Sequence, residues 1–129
     1  MNPTNALTAP MAGALHHEVA GVQADIVQAG AARVKRVIYP VGFRWSRDMK
    51  PLVKTDLCQH AHAGFLAQGS ITFEYADGVR QEFVAPQVVA VEPGHDGWVS
   101  GDEPAVLIEF DFMEKTEQIL ALPHHHNGK

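Results

Sequence analysis

The sequence predicts an all-β fold, a small antiparallel barrel or sandwich. Three observations predict it. Short extended runs recur along residues 33–112, separated by Gly, Pro and Asp-Gly turn signals. Two of those runs alternate apolar and polar residues with period two. Only one stretch, residues 113–122, spaces its apolar residues for a helix.

The elements follow in order. Residues 1–15 read as a loose arm and 16–30 as a lead-in with one short strand at 24–28; Pro3, Pro10 and many alanines specify little else. Residues 33–39 are rich in β-branched side chains and stop at Pro40-Val41-Gly42. Residues 57–68 form a mixed extended run ending at Gly69. Residues 70–75 put Ile71, Phe73 and Tyr75 on one face and Thr72 and Glu74 on the other. Asp77-Gly78 supplies the positive φ of a hairpin turn, and residues 79–84 return from it. Residues 88–91 make a four-residue apolar strand that Pro93-Gly94 ends. Trp98-Val99 is a short strand, and residues 105–112 set Val106, Ile108, Phe110 and Phe112 on one face. Glu109 and Asp111 fall on the opposite parity and are expected at solvent. The organisation expected is an arm at 1–30, a barrel at 31–113, and a helix and tail at 114–129, the helix held by packing rather than propensity.

A chain of 129 residues with 46% hydrophobic content is one domain able to build a core. Its net charge of −5 argues against nucleic-acid binding, which relies on Lys and Arg neutralising phosphates. No apolar run approaches the ~20 residues that span a bilayer, and no secretory leader is visible, so no membrane association and a cytoplasmic location are expected. Cys58 is the one cysteine, which excludes an intrachain disulfide and fits a reducing compartment. Seven of the ten basic residues fall between Arg33 and Lys54, and eight carboxylates between Glu92 and Glu117. These are two solvated faces, or else Arg44, Arg47, Lys50 or Lys54 at a barrel mouth draws in an anionic substrate.

The densest chemistry lies at Asp56, Cys58, His60 and His62. Residues two apart on an extended strand share a face, which would line up a carboxylate, a thiol and two imidazoles over about 20 Å. These are transition-metal ligand types. One ion needs three or four ligands, so another strand must contribute, and His95 in Glu92-Pro93-Gly94-His95-Asp96-Gly97 is the obvious donor. Asp96 is a candidate to orient an imidazole. The plainer reading leaves the histidines as hydrogen-bonded core or rim residues and Cys58 as a small buried hydrophobe. Trp45 and Trp98 lie beside loops, as core, mouth lining or ligand-stacking surfaces. His124-His125-His126 reads as a solvated tail. No phosphate-cradling glycine loop and no Gly-x-Ser-x-Gly elbow is present.

Three stretches resemble the cupin superfamily, and within it a group of small single-domain bacterial proteins. They are Gly42-Phe43-Arg44-Trp45-Ser46 with Lys50-Pro51; Cys58-Gln59-His60-Ala61-His62-Ala63-Gly64 running on to Gly69; and the long run from Pro93-Gly94-His95-Asp96-Gly97-Trp98 through Gly101-Asp102-Glu103-Pro104. The resemblance implies a cupin-type antiparallel β-barrel (a double-stranded β-helix or jelly roll) with a short C-terminal helix. General cupins carry His-x-His, then Glu, ahead of a glycine. Counting back from Gly69 puts His62 at the Glu position and Asp56 and Cys58 at the histidine positions. The second-motif histidine falls on Gly97, two residues past His95. Cys58, His62 and His95 belong to the smaller group's pattern, and His60 does not.

The resemblance implies a barrel binding a divalent transition metal (Fe, Zn, Ni, Mn or Cu) and a small organic molecule. Expected ligands are His62, His95, His60 and Cys58, with Arg44, Trp45 and Trp98 on the substrate side. A metal-dependent enzyme of oxygenase, isomerase or lyase type is one reading; a metal-free barrel that binds or senses a small ligand is the other. A homodimer is expected, because cupins commonly pair.

Overall fold

The computed structural model describes residues 5–58 and 61–112. In chain order the strands are β1 (Leu15–Val19), β2 (Val22–Ala29) and β3 (Ala32–Tyr39). Two four-residue helical turns follow, α1 (Trp45–Asp48) and α2 (Lys50–Val53). The remaining strands are β4 (His62–Gln68), β5 (Ser70–Tyr75), β6 (Arg80–Val84), β7 (Gln87–Val91), β8 (His95–Val99) and β9 (Ala105–Phe112). No described helix is long and apolar enough to cross a membrane.

The strands form two antiparallel sheets. The larger has the order β1-β2-β3-β9-β4-β7 and the smaller β6-β5-β8. Their inner faces meet in one core, where Leu66, Val89 and Leu107 of the larger sheet pack against Ile71, Phe73 and Val99 of the smaller. The architecture is all-β, as the turn spacing predicts. The strand expected at 70–75 and that at 105–112 have those bounds. The hairpin at Asp77-Gly78 joins β5 to β6, with Gly78 at φ 88°.

Three expectations change. Residues 15–29 are two strands that extend the larger sheet, not a lead-in with one strand at 24–28. The chain reverses at Ala20-Gly21, both at positive φ. Residues 5–13 cross the outside of that sheet, where Asn5 Nδ2 donates to Gln68 Oε1 at 2.7 Å and a pocket forms over Asp25 and Arg36. In β9 Ala105, Leu107 and Glu109 are buried on the face toward the core; on the other face Val106 is buried as well, while Phe110 is 53% exposed. Glu109 is therefore inside, because β9 sits mid-sheet and turns that parity onto the core. Finally, β4 begins only at His62, and Asp56, Leu57 and Ala61 lie outside any strand. The helix expected from residue 113 and the tail histidines lie outside the described residues.

Candidate functional site

The inner face of β2, β3 and β9 and the inner face of β5 and β8 enclose a cavity of about 310 Å³. Its walls are largely apolar, with Val37, Phe43, Trp45, Ile71 and Phe73 among them. Set into those walls are Lys35, Tyr39, Cys58, His62, His95 and Glu109.

Backbone pairing brings the Cys and His residues together. His62 opens β4 and pairs with Val91 of β7, on the inward parity shared with Leu66. His95 opens β8 opposite Tyr75 of β5. Cys58 reaches the site through an isolated bridge to His95: its N–H donates to the His95 carbonyl at 2.7 Å, and its own carbonyl accepts from Gly94 N at 2.7 Å. One ligand-capable atom from each of Cys58, His62 and His95 lies within 4.8 Å of the others. The two imidazole rings sit 5.1 Å apart between centroids.

Hydrogen bonds fix which nitrogens are left to bind. His95 Nδ1 lies 2.7 Å from the Glu92 carbonyl oxygen. A carbonyl only accepts, so Nδ1 carries the proton and Nε2 carries the lone pair. That Nε2 is buried with no hydrogen-bond partner, in a residue only 1% exposed. Such an atom costs free energy unless something occupies its lone pair. His62 Nδ1 lies 2.8 Å from Glu109 Oε1, which places a proton there too. Burial works against a charged His62 ring, but hydrogen bonds to Cys58 and Glu109 outweigh it and raise its pKa to about 9. Burial first, then the Glu109 and Cys58 charges, push the Tyr39 phenol well above its usual range, so it stays a donor.

The donor set suits a transition-metal ion. Two imidazole nitrogens and one thiolate are three protein ligands, the number that leaves a fourth tetrahedral position open. A carboxylate behind a ligating histidine is the usual arrangement for orienting the ring and raising its basicity, and Glu109 stands there for His62. The Glu92 carbonyl does the same for His95. The orphaned Nε2 of His95 is the observation on which this fit rests.

The other expected residues are placed as follows. Trp45 lines the cavity and is buried. Arg44 and Trp98 are outside it: the Arg44 guanidinium lies 4.3 Å over the Trp98 ring and pairs with Asp96 at 3.1 Å, on the outer face of the smaller sheet. Asp96 accepts from Ser46 N and Gly97 N and so anchors the α1 segment, rather than orienting an imidazole as expected. Arg47 pairs with Asp48, and Lys50 lies 3.6 Å from a fully exposed Asp56, so Asp56 is not at the site. His60 lies outside the described residues. Gly97 faces the cavity, and a Cβ there would come within 3.1 Å of the Phe73 ring, which takes up that space. Lys35 and Tyr39 are polar lining residues that the sequence does not single out, and Glu109 is one it places at solvent. Their common signal is inward parity: Lys35 and Tyr39 flank Val37 at two-residue steps, and Glu109 follows Leu107.

No protein-family model matches the chain, and no curated protein matches it. Solved structures do. A Cupin 2 conserved barrel domain protein from Salinispora arenicola is 16% identical, with 95% of this chain and 100% of that one covered at a TM-score of 0.58. A cupin-2 domain from Rhodospirillum rubrum is 11% identical over 93% of this chain and 88% of that one, at 0.56. A cupin-like protein from Thermotoga maritima is 15% identical over 78% and 84%, at 0.51. Identities this low speak to the fold and not to the activity. By its two-sheet architecture and these likenesses, the chain has the fold of the cupin superfamily.

Proposed function

We propose that this protein holds a divalent transition-metal ion on Cys58, His62 and His95 and turns the ion's open position toward a small organic molecule in the cavity. The observation that carries the reading is the buried, partnerless Nε2 of His95 beside the two other donors. A thiolate with two imidazoles favours zinc, copper, nickel or iron over manganese. When bound, such an ion supplies Lewis acidity toward a ligand oxygen. The chain's own residues do the rest. Glu109 and the Glu92 carbonyl hold the two rings, the apolar walls exclude water, and Tyr39 offers a hydroxyl donor near Cys58.

A metal-free ligand-binding barrel is the second reading. One observation favours it: Cys58 and His62 already hydrogen-bond each other, with Glu109 behind. Cobalt(II) titration separates the two. In protein lacking residues 124–129, cobalt is expected to give a thiolate-to-cobalt charge-transfer band that Cys58→Ser removes. No cobalt uptake at all, or the same band in Cys58→Ser, contradicts the metal reading.

A further inference from the structure

The sequence suggested that cations at residues 44–54 draw in an anionic substrate, but the structure pairs Arg44, Arg47 and Lys50 with Asp96, Asp48 and Asp56 on the outside. Among the described residues, the cation that lines the cavity is Lys35. Its ammonium lies 3.1 Å from Asp111 Oδ2. That carboxylate is already gripped at both oxygens by Arg33, through Nε at 3.0 Å and Nη2 at 3.1 Å. Two cations thus share the Asp111 carboxylate, while Glu109, across from Lys35 in the β3–β9 register, is taken up by His62. Lys35 is also largely buried, with 16% of its side chain exposed, so water screens its charge only weakly.

The remaining polar groups sharpen the argument. Cys58, His62 and His95 face the proposed ion, and Glu109 is bonded to His62. The Tyr39 hydroxyl lines the cavity and stays protonated, so it can donate there. Counting a divalent ion, the Cys58 thiolate, Glu109, Asp111, Arg33 and Lys35 gives a net charge of +1 around an apolar space. A monoanion neutralises it, whereas a neutral or cationic ligand does not. A volume of about 310 Å³ corresponds to roughly ten water volumes, room for a molecule of about ten non-hydrogen atoms.

We propose that the cavity takes a small monocarboxylate, its apolar body against Phe43, Ile71 and Phe73 and its carboxylate paired with Lys35. The inference rests on the metal reading for its charge balance, but the Lys35 contact does not pass through the ion.

The test is calorimetric titration with benzoate, butyrate and hexanoate, each beside its neutral amide, on zinc-loaded and zinc-free protein. Each acid is expected to bind about tenfold or more tightly than its amide in zinc-loaded protein, the size of one charge-assisted contact. The preference persists, weakened, without zinc. Lys35→Met brings the acids down to their amides without changing zinc content, and Lys35→Arg keeps most of the preference. Equal binding of acids and amides in both forms, or an acid preference that survives Lys35→Met, overturns the proposal. Failure to retain zinc counts against the metal centre alone, because the acid preference is read separately in zinc-free protein.

Discussion

Glu109 Oε1 lies 2.8 Å from His62 Nδ1, and both side chains are buried, Glu109 to 3% exposure. An ionised carboxylate placed so deep is expensive unless it is hydrogen-bonded to a charged or metal-bound partner. A protonated His62 or a metal-bound one satisfies Glu109 alike, and in the proposed centre Glu109 supports His62 as a ligand. Glu109→Gln keeps the shape and removes the charge. It is expected to fold and to weaken zinc affinity about 10–100-fold, the usual effect of losing such a support. Competition against a chelating dye measures it, and an unchanged affinity would show that Glu109 does not support the centre.

Gly64 pairs with Glu109 across β4 and β9, and a Cβ there would run into the Ile108 carbonyl and the Glu109 Cα. These are backbone atoms of β9, which cannot yield as a flexible side chain can. Gly64→Ala is expected to destabilise by about 3 kcal/mol or more, at the upper end of single substitutions. Gly78→Ala meets open space and only the strain of φ 88°, so about 1 kcal/mol is expected. Urea unfolding of the two variants compares them directly.

Leu107 is fully buried between Phe73, Leu66 and the rest of the core. Leu107→Ala removes three methyl or methylene groups' worth of packing and leaves a hole, at about 2–5 kcal/mol. The urea midpoint should fall with the slope unchanged, since the fold persists.

Under the segment at residues 5–13, Asp25 accepts from Arg36 at 2.8 Å through one oxygen and meets His16 at 2.7 Å through the other. With both oxygens engaged, Arg36 Nε is left without a partner. Burial pushes the Asp25 carboxyl up, but the His16 and Arg36 hydrogen bonds outweigh it and hold its pKa below the usual 3.8. A lowered folded-state pKa contributes stability above the unfolded value, and that stability is lost as pH falls through the folded one. Asp25→Asn should therefore be less stable than the parent at pH 7, and the gap should narrow below about pH 4. Urea midpoints from pH 7 to 3 test this; a gap that widens in acid contradicts it.

Much of the fold was legible because alternation is a local signal. Residues 70–75 and 105–112 announce their strands, and Asp77-Gly78 its turn. The β1–β2 hairpin was not legible, since it turns at Ala20-Gly21 and alanine at φ 53° carries none of the usual turn preference. The site was half legible. Cys58, His62 and His95 stood out by residue type, but the bridge that sets Cys58 against His95 is long-range and leaves no periodic trace. Trp98 was misplaced because two residues fix no parity. Once β8 starts at His95, residues 95, 97 and 99 face in and Trp98 faces out. Glu109 reads as solvent-facing because it alternates with Val106, Ile108 and Phe110, and its burial against the His62 ring leaves no sign in that alternation.

The most direct test of the metal centre is metal content per chain after gel filtration, in protein expressed with zinc. Deleting residues 124–129 is expected to remove only weak, sub-stoichiometric metal and leave close to one ion per chain. On that background His62→Ala is expected to abolish bound metal and His95→Ala to weaken it strongly. If the deletion alone strips the metal, or His62→Ala retains a full ion, the centre at Cys58, His62 and His95 is wrong.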